Sequence, residues 1–135
     1  QIRTPSNARV LDDRAETYLL VSDAAPAGFV TQMEEDGATV VTAGDDRVDL
    51  REAFETLADE GIEQLLVEGG GTLIFSLFEA GLVDELSVYV GSEIIGGREA
   101  PTLADGEGFV EDFPALTLKA VERLDDGVVL TYDVA

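Results

Sequence analysis

The sequence predicts an α/β fold in which a mostly parallel sheet ends in an antiparallel carboxyl-terminal hairpin, and three observations predict it. Short apolar runs alternate with segments of helical periodicity as far as residue 81. Beyond that point the pattern changes, and over 85–90 the apolar residues recur at every second position. Near the end, an Asp-Gly pair separates two runs rich in β-branched residues, the strongest short-range signal for a hairpin.

Taken in order, residues 1–11, QIRTPSNARVL, start without an initiator Met and place a turn at Pro5, Ser6 and Asn7 before any complete element, so the chain is expected to begin inside a longer fold. Residues 16–22, ETYLLVS, form the first strand, whose continuous apolar centre suits burial on both faces of a parallel sheet. Residues 26–36 form a helix with Pro26 in its first turn, Phe29, Val30 and Met33 on one face, and Gly37 as its stop. The second strand is 38–43. Asp49 then caps a helix over 50–60 that ends at Gly61 and buries Leu50, Ala53, Phe54 and Leu57.

The third strand is 64–68, and this alternation implies parallel strands joined by right-handed crossovers. A further helix begins at Thr72. Residues 85–90, ELSVYV, alternate as a strand, and 92–95 lead to Gly96-Gly97-Arg98 and an acidic, Gly- and Pro-rich loop over 99–114. The runs 116–124 and 128–134, separated by Asp125-Asp126-Gly127, make the closing hairpin.

The chemistry is expected where the third strand meets its helix, in QLLVEGGGTLIFSLFEAG. Leu73, Ile74, Leu77 and Phe78 line one helical face. Gly69, Gly70 and Gly71 let a ligand approach the main chain, and the unpaired N–H groups at a helix start attract phosphate without any basic side chain. Glu68, at the carboxyl end of the strand, faces the crevice in which open α/β sheets bind ligands. Spacing alone leaves a second reading open, in which the glycines only permit a sharp turn. The stretch is neither a Walker loop nor a GxGxxG fingerprint.

Composition narrows the possible functions. Among 135 residues, 29 are acidic and 8 basic, a formal net charge of −21, which argues against nucleic acid as a partner. The acids are scattered through an apolar framework and read as a solvated face that resembles the surfaces of proteins from salt-loving organisms. With neither Cys nor His, thiolate chemistry, disulfides and the commonest general base are excluded, and any proton transfer falls to Asp, Glu, Tyr, Lys or water. No apolar run has the length of a membrane span and no signal peptide opens the chain, so a cytoplasmic location is expected. Asp105-Gly106-Glu107-Gly108 lacks the ligand spacing of a calcium loop and reads as an acidic surface turn, so no metal site is assigned.

Three blocks in order carry a family resemblance: Val67-Glu68-Gly69-Gly70-Gly71-Thr72-Leu73, then Ser76 through Leu86, then Ile95-Gly96-Gly97-Arg98-Glu99-Ala100-Pro101-Thr102. Together with Pro5 through Leu11 and the Asp-Gly hairpin, they resemble the reductase domain of riboflavin biosynthesis, in particular the archaeal 2,5-diamino-6-ribosylamino-4(3H)-pyrimidinone 5′-phosphate reductases. The resemblance covers essentially the whole chain. It implies a dihydrofolate-reductase-like three-layer fold, a haloarchaeal source given the acidic surface, and hydride transfer from NADPH to the sugar carbon of a ribosylaminopyrimidine phosphate, giving a ribityl chain.

By the same resemblance, Gly69, Gly70, Gly71, Thr72 and Leu73 lie against the cofactor pyrophosphate and Glu68 faces the substrate, either holding the pyrimidine amino groups or aiding proton transfer. No catalytic residue is assigned. Gly44 and Asp45 are weaker candidates for the adenosine side, and Ile2 matches a loop that touches cofactor in relatives. Arg47 and Arg3 are candidates for a 2′-phosphate, though nothing distinguishes them from surface arginines. The family pattern carries a further segment ahead of this chain's start, with the first sheet strand and a substrate-binding helix and loop. The chain is therefore expected to be one partial reductase domain, its other half lost or supplied by a separate polypeptide. Relatives form homodimers, and Val88 and Val90 suit either such an interface or core packing. The competing reading is a non-catalytic nucleotide-binding or assembly module.

Overall fold

The structure, a computed structural model, describes residues 4–5, 8–12 and 14–135. The chain divides into two compact units, Gln1–Leu65 and Leu66–Ala135.

In the first unit a short 3-10 turn, Arg9–Leu11, precedes strand β1, Thr17–Val21. Helix α1, Ala27–Glu35, follows with Pro26 at its N-cap, where proline's missing N–H and fixed φ do no harm. Gly37, at a φ of 97°, ends it. Strand β2, Ala38–Thr42, pairs parallel with β1, Thr17 opposite Ala38 and Val21 opposite Thr42. Helix α2, Leu50–Asp59, is capped by Asp49, whose carboxylate accepts the N–H groups of Arg51 and Glu52 as the sequence predicts. Val21, Met33, Val41, Ala53 and Leu57 are buried in this unit. Apolar surface on one stripe of each helix and on the two strands is thus withdrawn from water, which holds the parallel pair under its helices.

The second unit opens with helix α3, Gly71–Glu79, of which Leu77 is the buried residue. Strands β3, Glu85–Val90, β4, Leu116–Leu124, and β5, Gly127–Val134, form an antiparallel sheet in the order β3-β5-β4. The β4–β5 connection is the two-residue loop Asp125-Asp126, and Asp125 has the positive φ, 51°, that primed hairpin turns need at their first position. Gly127 is not in the turn. It pairs with Leu124 inside the sheet, where a Cβ would stand 2.5 Å from the Val90 carbonyl oxygen and 2.6 Å from the Tyr89 ring. β4 has a register break between Leu118 and Ala120, so Lys119 bulges and Val121 returns to the side occupied by Leu116 and Leu118.

The α/β class, with a parallel sheet and a closing antiparallel hairpin, is as expected. The third parallel strand is not: among the described residues 64–68 joins no ladder, and Leu65 and Leu66 are 44% and 86% exposed. An apolar run satisfies the pattern of a buried strand, but a strand exists only where a neighbour takes its N–H and C=O groups. No helix among the described residues is long and apolar enough to cross a membrane.

Candidate functional site

The glycine turn is built by three residues without side chains that lead into a helix, Gly71 being the first residue of α3. Gly69 has a φ of 102°, and the Gly69–Gly70 peptide is cis. Gly70 is the N-cap of α3 and lends no side chain to it, while its carbonyl accepts the N–H groups of Leu73 and Ile74 at 3.0 and 3.1 Å. The helix itself supplies no acceptor for the N–H groups of Gly71 and Thr72. With no acid in the first turn, the positive end of the helix is not neutralised from within. Glu68, Gly70, Thr72 and Leu73 are exposed and Gly69 and Gly71 half-buried, so one face of this turn is open to a ligand.

Gly71 touches a part of the chain that the sequence did not connect with it. The N–H of Asp105 donates to the Gly71 carbonyl at 3.0 Å, and a Cβ on Gly71 would run into the Asp105 carboxylate and reach 3.0 Å from the Thr102 carbonyl oxygen. The Thr102 hydroxyl donates to the carboxylate of Asp105, fixing it there. One turn further along α3, a Cβ on Gly106 would strike the Phe75 ring, and the rings of Phe75 and Phe109 pack tilted by 33° with centroids 5.0 Å apart. Residues 102–109 are therefore a strap laid along α3, held by two close approaches that only glycine permits. The one legible signal was the pair of glycines in Asp105-Gly106-Glu107-Gly108, of which Gly108 serves the turn with its φ of 83° and Gly106 the close approach to Phe75.

Gly44 and Asp45 lie in the other unit, at the carboxyl ends of β1 and β2. Their carbonyls accept the N–H groups of Asp23 and Ala24 at 2.9 and 3.0 Å, which zips the loop after β2 to the loop after β1. The Gly44 N–H donates to Glu52 at 2.9 Å. Ile2 and Arg3 lie outside the described residues. Two open cavities lie elsewhere: one of about 480 Å³ in the first unit, lined among others by Arg9, Glu16 and Tyr18, and one of about 460 Å³ in the second, whose lining includes Glu79, Asp84, Glu111 and Asp112. The second is too acidic to favour a phosphate. Among the described residues no cluster of acids suits a metal ion.

The sequence model of the RibD C-terminal domain matches residues 1–130. The chain belongs to this family. It is 45% identical over 98% of its length to the 2,5-diamino-6-ribosylamino-4(3H)-pyrimidinone 5′-phosphate reductase of Methanothermobacter thermautotrophicus, covering 62% of that protein. It is 41% identical over 96% of its length to the reductase of the same name from Archaeoglobus fulgidus, covering 57% of it. The RibD C-terminal chain thus spans about three-fifths of the length of these relatives. Among solved structures, Acinetobacter baumannii RibD superposes with a TM-score of 0.80 over all of this chain and 35% of that one, at 20% identity, which shows a shared fold. The fold expected from the family resemblance is therefore the fold found.

Proposed function

We propose that this RibD C-terminal chain is part of an NADPH-dependent reductase that converts a ribosylaminopyrimidine 5′-phosphate to its ribitylamino form. The observation that carries the reading is the 45% identity to a reductase of that name across 98% of this chain. The turn at 69–73 fits the cofactor: its donors are backbone N–H groups at a helix start, and its glycines leave the main chain open to a pyrophosphate. Gly44 and Asp45, on the adenosine side, and Ile2, as a further cofactor contact, belong to the same proposal. When bound, the nicotinamide supplies the hydride.

The chain's own work is to bind, orient and exclude water. The amides of Gly71 and Thr72 hold the pyrophosphate. Glu68, next in the chain to the glycines, presents a carboxylate to the substrate, where it accepts hydrogen bonds from the pyrimidine amino groups. The chain acts as a homodimer, and the segment that relatives carry beyond it completes the crevice, whether in the same polypeptide or a separate one.

The test is a fluorescence titration of NADPH into this chain and into the chain extended at its amino terminus, followed by turnover of the ribosylaminopyrimidine phosphate. The extended protein is expected to bind and reduce. In it, Glu68→Gln should lower kcat/KM by about tenfold to a hundredfold, the range for a charged hydrogen bond of about 1.5–3 kcal/mol, and leave NADPH binding unchanged. Full activity in that variant would remove Glu68 from the site. Absence of NADPH binding in both proteins would leave the turn purely structural.

A further inference from the structure

The strap brings an acid to the turn where the proposed function puts the cofactor pyrophosphate. The Asp105 carboxylate lies against Gly71, the first residue of α3, so closely that no Cβ fits between them. It does not fall there by chance of a mobile side chain. Its position is fixed by the Thr102 hydroxyl, by its own N–H on the Gly71 carbonyl, and by the seating of Gly106 on Phe75. A negative charge beside a helix start is attracted by the dipole, and it repels a second anion brought to the same helix start.

We propose that Asp105 is a charge counterweight built into the glycine turn: held by Thr102, it lowers the affinity of the α3 start for a pyrophosphate-bearing ligand. The inference rests on the proposed role of that turn as the cofactor's anion site. Its consequence falls equally on every ligand that brings a pyrophosphate: one with no other contacts gains little at the turn, whereas a whole dinucleotide, weakened by the same factor, still binds through its further contacts. Asp105 is a positioning and tuning residue, with no part in proton or hydride transfer.

Inorganic pyrophosphate and NADPH serve as probes, titrated into the chain by calorimetry in low and high KCl, with the amide resonances of Gly71 and Thr72 followed by NMR to place the binding. Asp105→Asn keeps an acceptor for Thr102 and removes the charge. It is expected to bind both probes about twofold to fivefold more tightly than the wild type in low salt, with the gap closing near 1 M KCl as the charge is screened. Asp105→Ser repeats the comparison with a side chain that removes the carboxylate altogether. Thr102→Val, which frees the carboxylate without removing it, should show a smaller gain.

If both probes move the Gly71 and Thr72 amides and the neutral variants bind no more tightly than the wild type, the counterweight is wrong while the anion site stands. If pyrophosphate and NADPH leave those amides unmoved in every protein, the anion site itself is wrong and the counterweight falls with it.

Discussion

Gly44 shows how much one hydrogen atom in place of a side chain can decide. Its φ of 79° is one that L-residues rarely adopt, and a Cβ there would collide with the Arg47 carbonyl oxygen and stand 2.7 Å from the Asp49 N–H nitrogen. Both neighbours are backbone, and Asp49 is tied to Ala43 and caps α2, so neither can give way cheaply. Gly44→Ala should therefore destabilise the fold by roughly 2–4 kcal/mol, from strain and overpacking together. A urea titration checks this; a change within ±0.5 kcal/mol would mean that the loop rearranges freely. The role proposed for Gly44 beside a cofactor is thus added to a structural demand that is sufficient on its own to require glycine. Gly71 carries the same double demand, whereas Glu68 has an exposed carboxylate for which packing supplies no reason.

At the scale of elements, legibility followed how local the cause was. The two helices of the first unit were readable to within a residue because their signals, Pro26, Asp49, Gly37 and Gly61, act on neighbours in the chain. The strand expected over 64–68 failed because pairing depends on residues far away in sequence. The Thr102–Asp105 contact with Gly71 was hidden for the same reason. Lys119 belongs to this class too: the bulge that carries it puts its ammonium 2.6 Å from Glu85 and 3.2 Å from Asp133, two acids directly opposite one another on β3 and β5.

Hydrogen bonds to Glu85 and then Asp133 raise the Lys119 pKa above its ordinary value of 10.5. A raised folded-state value means a stabilisation fully present below about pH 10.5 and lost as the pH climbs through the raised value. All three side chains are about half exposed, so the gain is modest and sensitive to salt. Lys119→Gln should lower the melting temperature slightly at pH 7 in low salt, less in 1 M KCl, and hardly at all once the pH is above the lysine's titration. A deficit that persists unchanged in alkali would assign Lys119 a packing role instead.

For the whole molecule, an apolar sheet face has to be reconciled with a net charge of −21. Leu116, Leu118 and Val121 of β4 share the side of the sheet that carries Leu130 and Tyr132 of β5 and Val88 and Val90 of β3, because the bulge at Lys119 restores the alternation. Leu118 and Val121 are 53% and 57% exposed, more than a strand face packed on its own core would leave. A second copy of the chain offers the same face, and burying the two together follows from the homodimer proposed above. Charge opposes it, since two strongly acidic chains repel until salt shortens the range of that repulsion to about 3 Å at 1 M. Association should therefore strengthen with KCl, the reverse of what an interface held by ion pairs would do. Sedimentation of the wild type is expected to give a dimer in high salt and monomer in low salt. Leu118→Glu, which sets a charge in the middle of the face, should remain monomeric throughout with its circular dichroism unchanged. A wild-type chain that stays monomeric at every salt concentration, or a Leu118→Glu variant that dimerises as readily as the parent, would show that this face does not join two copies.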